Sequence, residues 1–481
     1  MAWTWCDPGR LPAPYPVYAA LCLLSLTSVG QDLSRKPTTP PLVEGQPFQV
    51  YWNVPTSHCS THRGVDLHLD DFGIVTNRNE RFLGEKLTIF YSTRLGIYPT
   101  YHSGDPENGG LPQNMSLEEH LRQARIDIDN FLVTDYQGLA VIDWEDWRPL
   151  YARNWGSKRV YQTKSQELVR GRNPDWNQTH IEAEAKKEYE KAAKMYMMSS
   201  LMLGQSMRPK AYWGFYLFPD CYNYHFREEF PTYDGHCPDI EIERNNELTW
   251  MWTQSSALFP SVYLEEKIKS ERGERGKLYA RYRIREAVRV ALLTKGEYTP
   301  PIFLYCRSHF IDSTTLTPLN EIDLVRTLGE SAAMGVSGAI LWGSTDFSRT
   351  TENCQAVKDQ VHNVLGPYIL NLTASVQFCS RTLCSNHGRC YRRNADENVF
   401  LHLNSRSFRF VKRNRRTDKV RIKGRASLSD RRNYRAHFQC QCYWGWNGTR
   451  CSHHKRSIDS CRAKTSPLTL VLFLLLSLLL I

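Results

Sequence analysis

Apolar strand-like runs alternate with amphipathic helical patterns from Pro47 to about Leu372, and that alternation leaves few possible folds. The strands are read at Phe48–Asn53, Thr88–Ser92, Gly138–Glu145, Tyr212–Pro219, Ala257–Leu264, Pro301–Arg307 and Gly338–Gly343. Helical periodicity lies between them at Ser116–Leu132, Thr179–Leu203, Asn246–Ser256, Leu278–Leu293 and Asn320–Met334, with Ser116 and Glu119 as a capping box. Such alternation gives an α/β fold with parallel strands, in a closed barrel or an open doubly wound sheet. No Gly-rich phosphate loop follows a strand, which removes the main reason to choose the open sheet.

The strand ends select the barrel. Trp52, Tyr91, Trp144, Tyr216, Phe259 or Tyr263, and Trp342 fall at or near the carboxyl ends of successive strands. In a barrel those ends share one mouth. One aromatic there is ordinary core, because strands favour such residues. Six at corresponding positions predict a mouth lined with flat apolar faces, suited to the C–H faces of sugar rings.

Within this frame the stretch Gly138-Leu-Ala-Val-Ile-Asp143-Trp144-Glu145-Asp146-Trp147-Arg148-Pro149 carries the chemistry. Leu139 to Ile142 reads as a strand buried on both faces. Asp143 and Glu145 are two residues apart, so on an extended strand they point to one side. Two close carboxylates do not both ionise freely, and one is expected to hold a proton near neutral pH as a general acid. Solvated acids capping a strand, or half of a metal site, are the plainer alternatives. The two indoles beside the acids favour a sugar over an ion, and neither a metal nor another cofactor is expected.

The ends of the chain give an address. A short apolar stretch from Val17 to Gly30 reads as a signal peptide over 1–30, cleaved before Gln31. Leu468–Ile481 is a terminal apolar run after a polar spacer holding Ser457 and Ser460. It is shorter than the ~20 residues of a spanning helix and reads as a removable signal for a GPI lipid anchor over 456–481. Attachment is expected near Ser457 or Ser460, on the outer face of the plasma membrane. Sequons at Asn114, Asn177, Asn371 and Asn447 fit an exported chain. The formal charge of +11 favours an acidic partner, but much of the excess sits in one late segment, so charge alone says little about the active site, and no nucleic-acid partner is expected.

Twelve cysteines follow the signal region. Cys221 and Cys237 flank a short loop and are expected to close it, while Cys59 and Cys354 would tie the barrel's ends together. Cys306, inside a strand, reads as a free buried thiol. The later spacing, Cys379-x4-Cys384-x5-Cys390, a long gap, then Cys440-x-Cys442-x8-Cys451, resembles an EGF-like module. That resemblance implies the pairs Cys379–Cys390, Cys384–Cys440 and Cys442–Cys451. The gap holds a basic run over 406–432, read as a solvated loop, with contact to a polyanion as the alternative. The domains expected are a barrel over 31–375 and the disulfide-rich module over 376–455.

The stretches Val141-Ile-Asp-Trp-Glu-Asp-Trp-Arg-Pro149, Trp213-Gly-Phe-Tyr-Leu-Phe-Pro-Asp-Cys-Tyr222, Gly109-Gly-Leu-Pro-Gln-Asn114 and Gly329-Glu-Ser-Ala-Ala333 resemble animal hyaluronidases from Pro40 to Cys451. Ala257-Leu-Phe-Pro-Ser-Val-Tyr263, with the apolar tail, resembles the hyaluronidase-2 branch. The resemblance implies a distorted TIM-like (β/α) barrel with an EGF-like appendage. It also implies hydrolysis of the β-1,4 bond of hyaluronan with retention, by attack of the substrate's own N-acetyl oxygen. By the same resemblance Glu145 is the acid, Asp143 shares its proton and steadies the oxazolinium intermediate, and Tyr216 orients the acetamido group. Tyr91 and Trp342 shape that sugar's pocket, and Arg148 and Arg283 face the glucuronate carboxylates or brace the acids. Trp144, Asp220 and Phe259 complete the expected substrate-binding set. Phe259 stands where the family often has Tyr, which implies weak turnover. A chondroitin-preferring hydrolase and a hyaluronan-binding receptor with little catalysis remain alternatives.

Overall fold

Short parallel strands curl around an apolar centre in two runs joined by irregular stretches. The computed structural model describes residues 35–313, 315–414 and 417–455, with the backbone alone for 412–419. The expected signal peptide and lipid-anchor tail, with Ser457 and Ser460, lie outside the described residues. No helix among the described residues is long and apolar enough to cross a membrane.

One run pairs Gln49–Asn53 with Gly338–Trp342 and that strand with Phe303–Cys306. The other pairs Leu87–Tyr91 with Leu139–Asp143 and that strand with Tyr212–Phe215. The expected strand Ala257–Leu264 forms only single bridges, Phe259 to Tyr216 on one side and Leu258 and Ser261 to Ile302 and Tyr305 on the other. Pro260 lacks an N–H and interrupts a regular ladder there. Across the remaining gap Val75 bridges Tyr51, and side chains continue the seam. Asn53 Nδ2 donates to the Phe82 carbonyl, and Asn77 both donates to the Leu87 carbonyl and accepts its N–H. The ring is therefore a distorted barrel.

Alternation along each strand sorts side chains into two layers. Tyr51, Ile89, Leu139, Val141, Phe303 and Ile340 pack inside the ring. Trp52, Phe90, Ala140, Ile142 and Leu341 join the larger core under the helices. The helices Leu117–Phe131, Gln178–Met207 and Arg275–Leu293 cover those outer faces. Ser116 caps the first by accepting the Glu119 N–H, which is half of the expected capping box. The expected Asn246–Ser256 helix is two, Asp239–Glu247 and Thr249–Gln254, and Arg159–Arg172 is a helix the sequence reading passed over.

Disulfides join Cys59–Cys354, Cys221–Cys237, Cys379–Cys390, Cys384–Cys440 and Cys442–Cys451, and Cys306 is free and buried. The expected domain boundary at 375/376 falls inside one helix, Gly366–Leu383, which carries Cys379. Ser375 in that helix is buried and hydrogen-bonds Tyr434, so chain on both sides of the boundary shares one core. The basic run is also structured: Phe408–Asn414 pairs antiparallel with Thr417–Gly424, and the helix Leu428–His437 follows.

One ion cluster fastens the late module to the barrel helices. Glu330 and Arg392 have no solvent exposure, and Arg281 has almost none. Arg281 Nε lies 2.7 Å and Arg392 Nη2 2.5 Å from Glu330 Oε1. Arg281 also donates to the carbonyls of Asp396 and Glu397, and Arg392 to that of Ala395. Removing one partner from a buried cluster strands the remaining charges, at a cost of about 3–5 kcal/mol. Glu330→Ala is expected to lower unfolding stability by that amount in urea titrations, with barrel and module unfolding in one transition. A loss below 1 kcal/mol would count against the cluster.

Candidate active site

The Leu139–Asp143 strand delivers a carboxyl into the ring's open end. Leu139 and Val141 point inward, so Asp143 does too, while Ile142 and Trp144 turn outward. The regular strand stops at Asp143, and Glu145 stands on the loop just beyond it. Arg148 holds that loop: Nη1 donates to the Glu145 carbonyl at 2.8 Å, and Nη2 lies 3.5 Å from Glu145 Oε1. Lys158 Nζ donates to the same carbonyl and, at 3.2 Å, to that of Asp146. Half of the Glu145 side chain stays open to solvent (51 %).

The two acids have different surroundings. Burial, and then the negative charge of Glu145, push the Asp143 carboxyl well above its ordinary range, with Arg148 opposing. Desolvation is the larger of the two effects on Asp143. Lys158 is pushed down, by burial first and by Arg148 next.

Phenols and an indole surround this pair. Tyr91 is in register with Asp143, and its hydroxyl accepts from Trp342 Nε1 at 3.3 Å. Burial pushes Tyr91 up to about 12, with the two acids adding to it. Burial and Glu145 raise Tyr216 further still, so both hydroxyls are neutral donors at physiological pH. The Tyr216 ring stacks on that of Tyr263 with centroids 6.4 Å apart, and the Tyr263 ring stacks 6.3 Å from Trp342. The Arg307 guanidinium sits 5.2 Å over the Trp342 ring and 6.0 Å from that of Tyr263, and its buried Nε has no partner. The arrangement offers a buried carboxyl raised above its ordinary range beside a half-open acid, neutral hydroxyl donors, flat rings and a cation facing them.

Asp143, Glu145, Arg148, Tyr91, Tyr216 and Trp342 thus come together. Other expected site residues do not. Trp144 is buried among Tyr98, His120, Tyr196 and Phe215 on the outer face, and Trp52 likewise belongs to the outer core. Both precede or follow an inward residue by one position, and alternation turns them away. Phe259 points inward but has no solvent exposure, being packed against Phe303 and Tyr305, so Tyr263 takes the open position. Asp220 is bonded to Arg153 and Arg283 and caps the Cys221 and Tyr222 N–H groups, which leaves it structural. Arg283 is buried between the Tyr224 and Tyr279 rings and touches neither acid. Asn114, Asn177 and Asn447 are exposed, whereas Asn371 is buried, with Nδ2 on His402 and Oδ1 accepting from Leu403 N–H.

Lys158 and Arg307 were missed. Arg307 had a usable signal, since it ends the expected strand Pro301–Arg307 as Glu145 ends Gly138–Glu145.

A family model described as hyaluronidase matches residues 37–455. The chain belongs to the hyaluronidase family. Human hyaluronidase-2 is 42% identical over 437 residues, covering 90% of this chain and 92% of that protein. A hyaluronidase of Crotalus adamanteus is 44% identical over 86% of this chain and 92% of its own length. Among solved structures, bee venom hyaluronidase superposes with a TM-score of 0.61 at 32% identity, covering 67% of this chain and 99% of the bee chain. A second structure of the bee enzyme, in complex with a hyaluronic acid tetramer, matches equally well, with a TM-score of 0.61.

The shifted Asp143 makes this hyaluronidase's stability depend on pH. The unfolded chain loses that proton near 3.8, and the folded chain keeps it to higher pH. The contribution is therefore complete below about pH 4 and is lost as pH rises through the folded Asp143 pKa. Urea midpoints of the parent should fall over this window relative to Asp143→Asn, which has no proton to lose. Parallel curves would contradict the shift.

Proposed function

We propose that the chain is an endo-β-N-acetylhexosaminidase that cleaves the β-1,4 bonds of hyaluronan with retention. The observation that carries the reading is the buried Asp143, its carboxyl raised above the ordinary range, beside the half-open Glu145 and ringed by neutral phenols and Trp342. A bound sugar would cover Glu145, and loss of water favours its neutral form, so the pair's proton moves toward the leaving oxygen. Glu145 gives that proton to the glycosidic oxygen as the C1–O bond breaks. The acetamido oxygen of the same sugar closes on C1, forming an oxazolinium ion. Asp143, now ionised, steadies that charge, and Tyr216 orients the acetamido group. Water then adds at C1 while the Glu145 carboxylate takes its proton, which reopens the ring with the starting configuration.

Tyr91, Tyr263 and Trp342 supply the flat walls for the N-acetyl sugar. Arg307 is the cation best placed for a uronate carboxylate, because its buried Nε lacks a partner and its guanidinium lies over the Trp342 ring. Chondroitin also alternates uronate with N-acetylhexosamine and is the second substrate to test. Five disulfides favour an oxidising compartment, and the apolar end of the sequence favours a GPI-anchored protein on the outer cell surface. The three-disulfide module is read as EGF-like on its cysteine spacing.

Glu145→Gln is expected to keep the fold and polymer binding while cleavage falls by at least about 10²-fold, since the amide has no proton to donate. Sizing hyaluronan and chondroitin after incubation from acid to neutral pH checks both activity and preference. Near-parental cleavage by the Gln variant would move the acid elsewhere. Arg307→Ala is expected to raise KM for hyaluronan about tenfold with a smaller effect on kcat, as loss of a carboxylate contact should. An unchanged KM would remove Arg307 from the binding set.

A further inference from the structure

Lys and Arg exceed Asp and Glu by 61 to 50 over the chain. Residues 406–435 alone hold thirteen Lys and Arg against Asp418 and Asp430. The whole surplus of 11 therefore sits in that segment, and the rest of the chain balances at 48 of each sign.

The described cations of this segment are exposed. In the hairpin Arg409 is directly opposite Lys423, and Arg421 is opposite Val411 on the same face. The other face carries Phe408, Ile422 and Val420. The Phe408 ring meets Phe378 of the Gly366–Leu383 helix at 6.1 Å, and Val420 packs on the core. Arg409, Arg421 and Lys423 consequently face solvent, with Arg425 exposed at the strand's end. The next helix buries Asp430 and Tyr434 and exposes Arg431 and Arg432. Asp430 does little to neutralise them. Burial opposes its charge, but bonds from Ser407, Asn404 and Ser427 hold it down at about 2 and turn it inward. These six cations form no ion pair with the described carboxylates.

Like charges directly across a hairpin destabilise it, and an anionic chain laid along the face relieves that repulsion. Guanidinium forks also match the oxygens of a sulfate better than ammonium does. We propose that this hairpin and helix form a binding site for a sulfated glycosaminoglycan, separate from the catalytic mouth. A sulfated chain carries sulfates besides its uronate carboxylates, so its anions lie closer together than those of an unsulfated one. That closer spacing fits cations on adjacent strands.

The test is retention of the full-length protein on immobilised heparin over a salt gradient. The triple variant Arg409→Gln, Arg421→Gln, Lys423→Gln should bind about tenfold or more weakly near physiological salt, with a shallower salt dependence. A control triple, Arg122→Gln, Arg125→Gln, Lys186→Gln, removes equal charge from exposed helix surfaces elsewhere and should bind nearly as the parent does. Both triples should keep parental cleavage of short hyaluronan oligosaccharides and parental Tm. If the hairpin triple does not fold, the pair Arg431→Gln, Arg432→Gln takes its place. Parental retention of the hairpin variants, an equal loss in the control, or equally tight retention on desulfated heparin or double-stranded DNA would each overturn the proposal.

Discussion

Glu330 carries a charge with no access to water, and two arginines from different parts of the chain make that tolerable. Arg281 belongs to a barrel helix and Arg392 to the disulfide-linked module. A buried carboxylate left with one partner is a large penalty. The module therefore docks with the barrel as a condition of burying Glu330, rather than hanging from it as an appendage. The same helical region leads into Gly338–Trp342, the strand that ends in Trp342 at the mouth. The position of one wall of the site is thus coupled to the module's docking.

This explains which parts of the molecule could be read from sequence. Strand–helix alternation with aromatic strand ends led to the barrel, and the resemblance of the late cysteine spacing to an EGF-like module implied the three module disulfides that are observed. The expected boundary at 375/376 falls within a helix, because a helix whose two halves pack into one shared core looks in sequence like any amphipathic helix. Glu330 was visible as part of a family-like motif, but its role needs two arginines 49 and 62 residues away. The basic run was read as a loop because repeated like charge masks a two-residue alternation of Phe408, Phe410 with Arg409, Val411.

In the site, the acids and Tyr91, Tyr216 and Trp342 were legible because they end strands and point inward by alternation. Trp52 and Trp144 also sit near strand ends, yet they are one residue out of phase and belong to the outer core. Phe259 has the right phase but lies closed in beneath the mouth. Phase and depth both matter, and sequence gives the first more readily than the second. Depth also decides the electrostatics: two carboxyls two residues apart separate in character because one is buried and the other is half open.

The charge distribution separates the two anion-facing regions of the molecule. Outside residues 406–435 positive and negative side chains balance, so no net field from the rest of the chain draws an anionic polymer to the barrel mouth. Attraction there must be short-range, from Arg148, Lys158 and Arg307 acting where burial weakens screening by salt. Arg148 and Lys158 are committed to the acid loop's own oxygens, so they fix Glu145 in place more than they reach outward. Of these three cations Arg307 alone has no bond to the acid loop, and it stands over the rings that would flank a sugar. The hairpin has the opposite design, with many exposed cations and few partners, whose attraction is long-ranged and weakens with salt. A polymer held there would be tethered by its charge, while the mouth would select it by ring shape and by a single carboxylate.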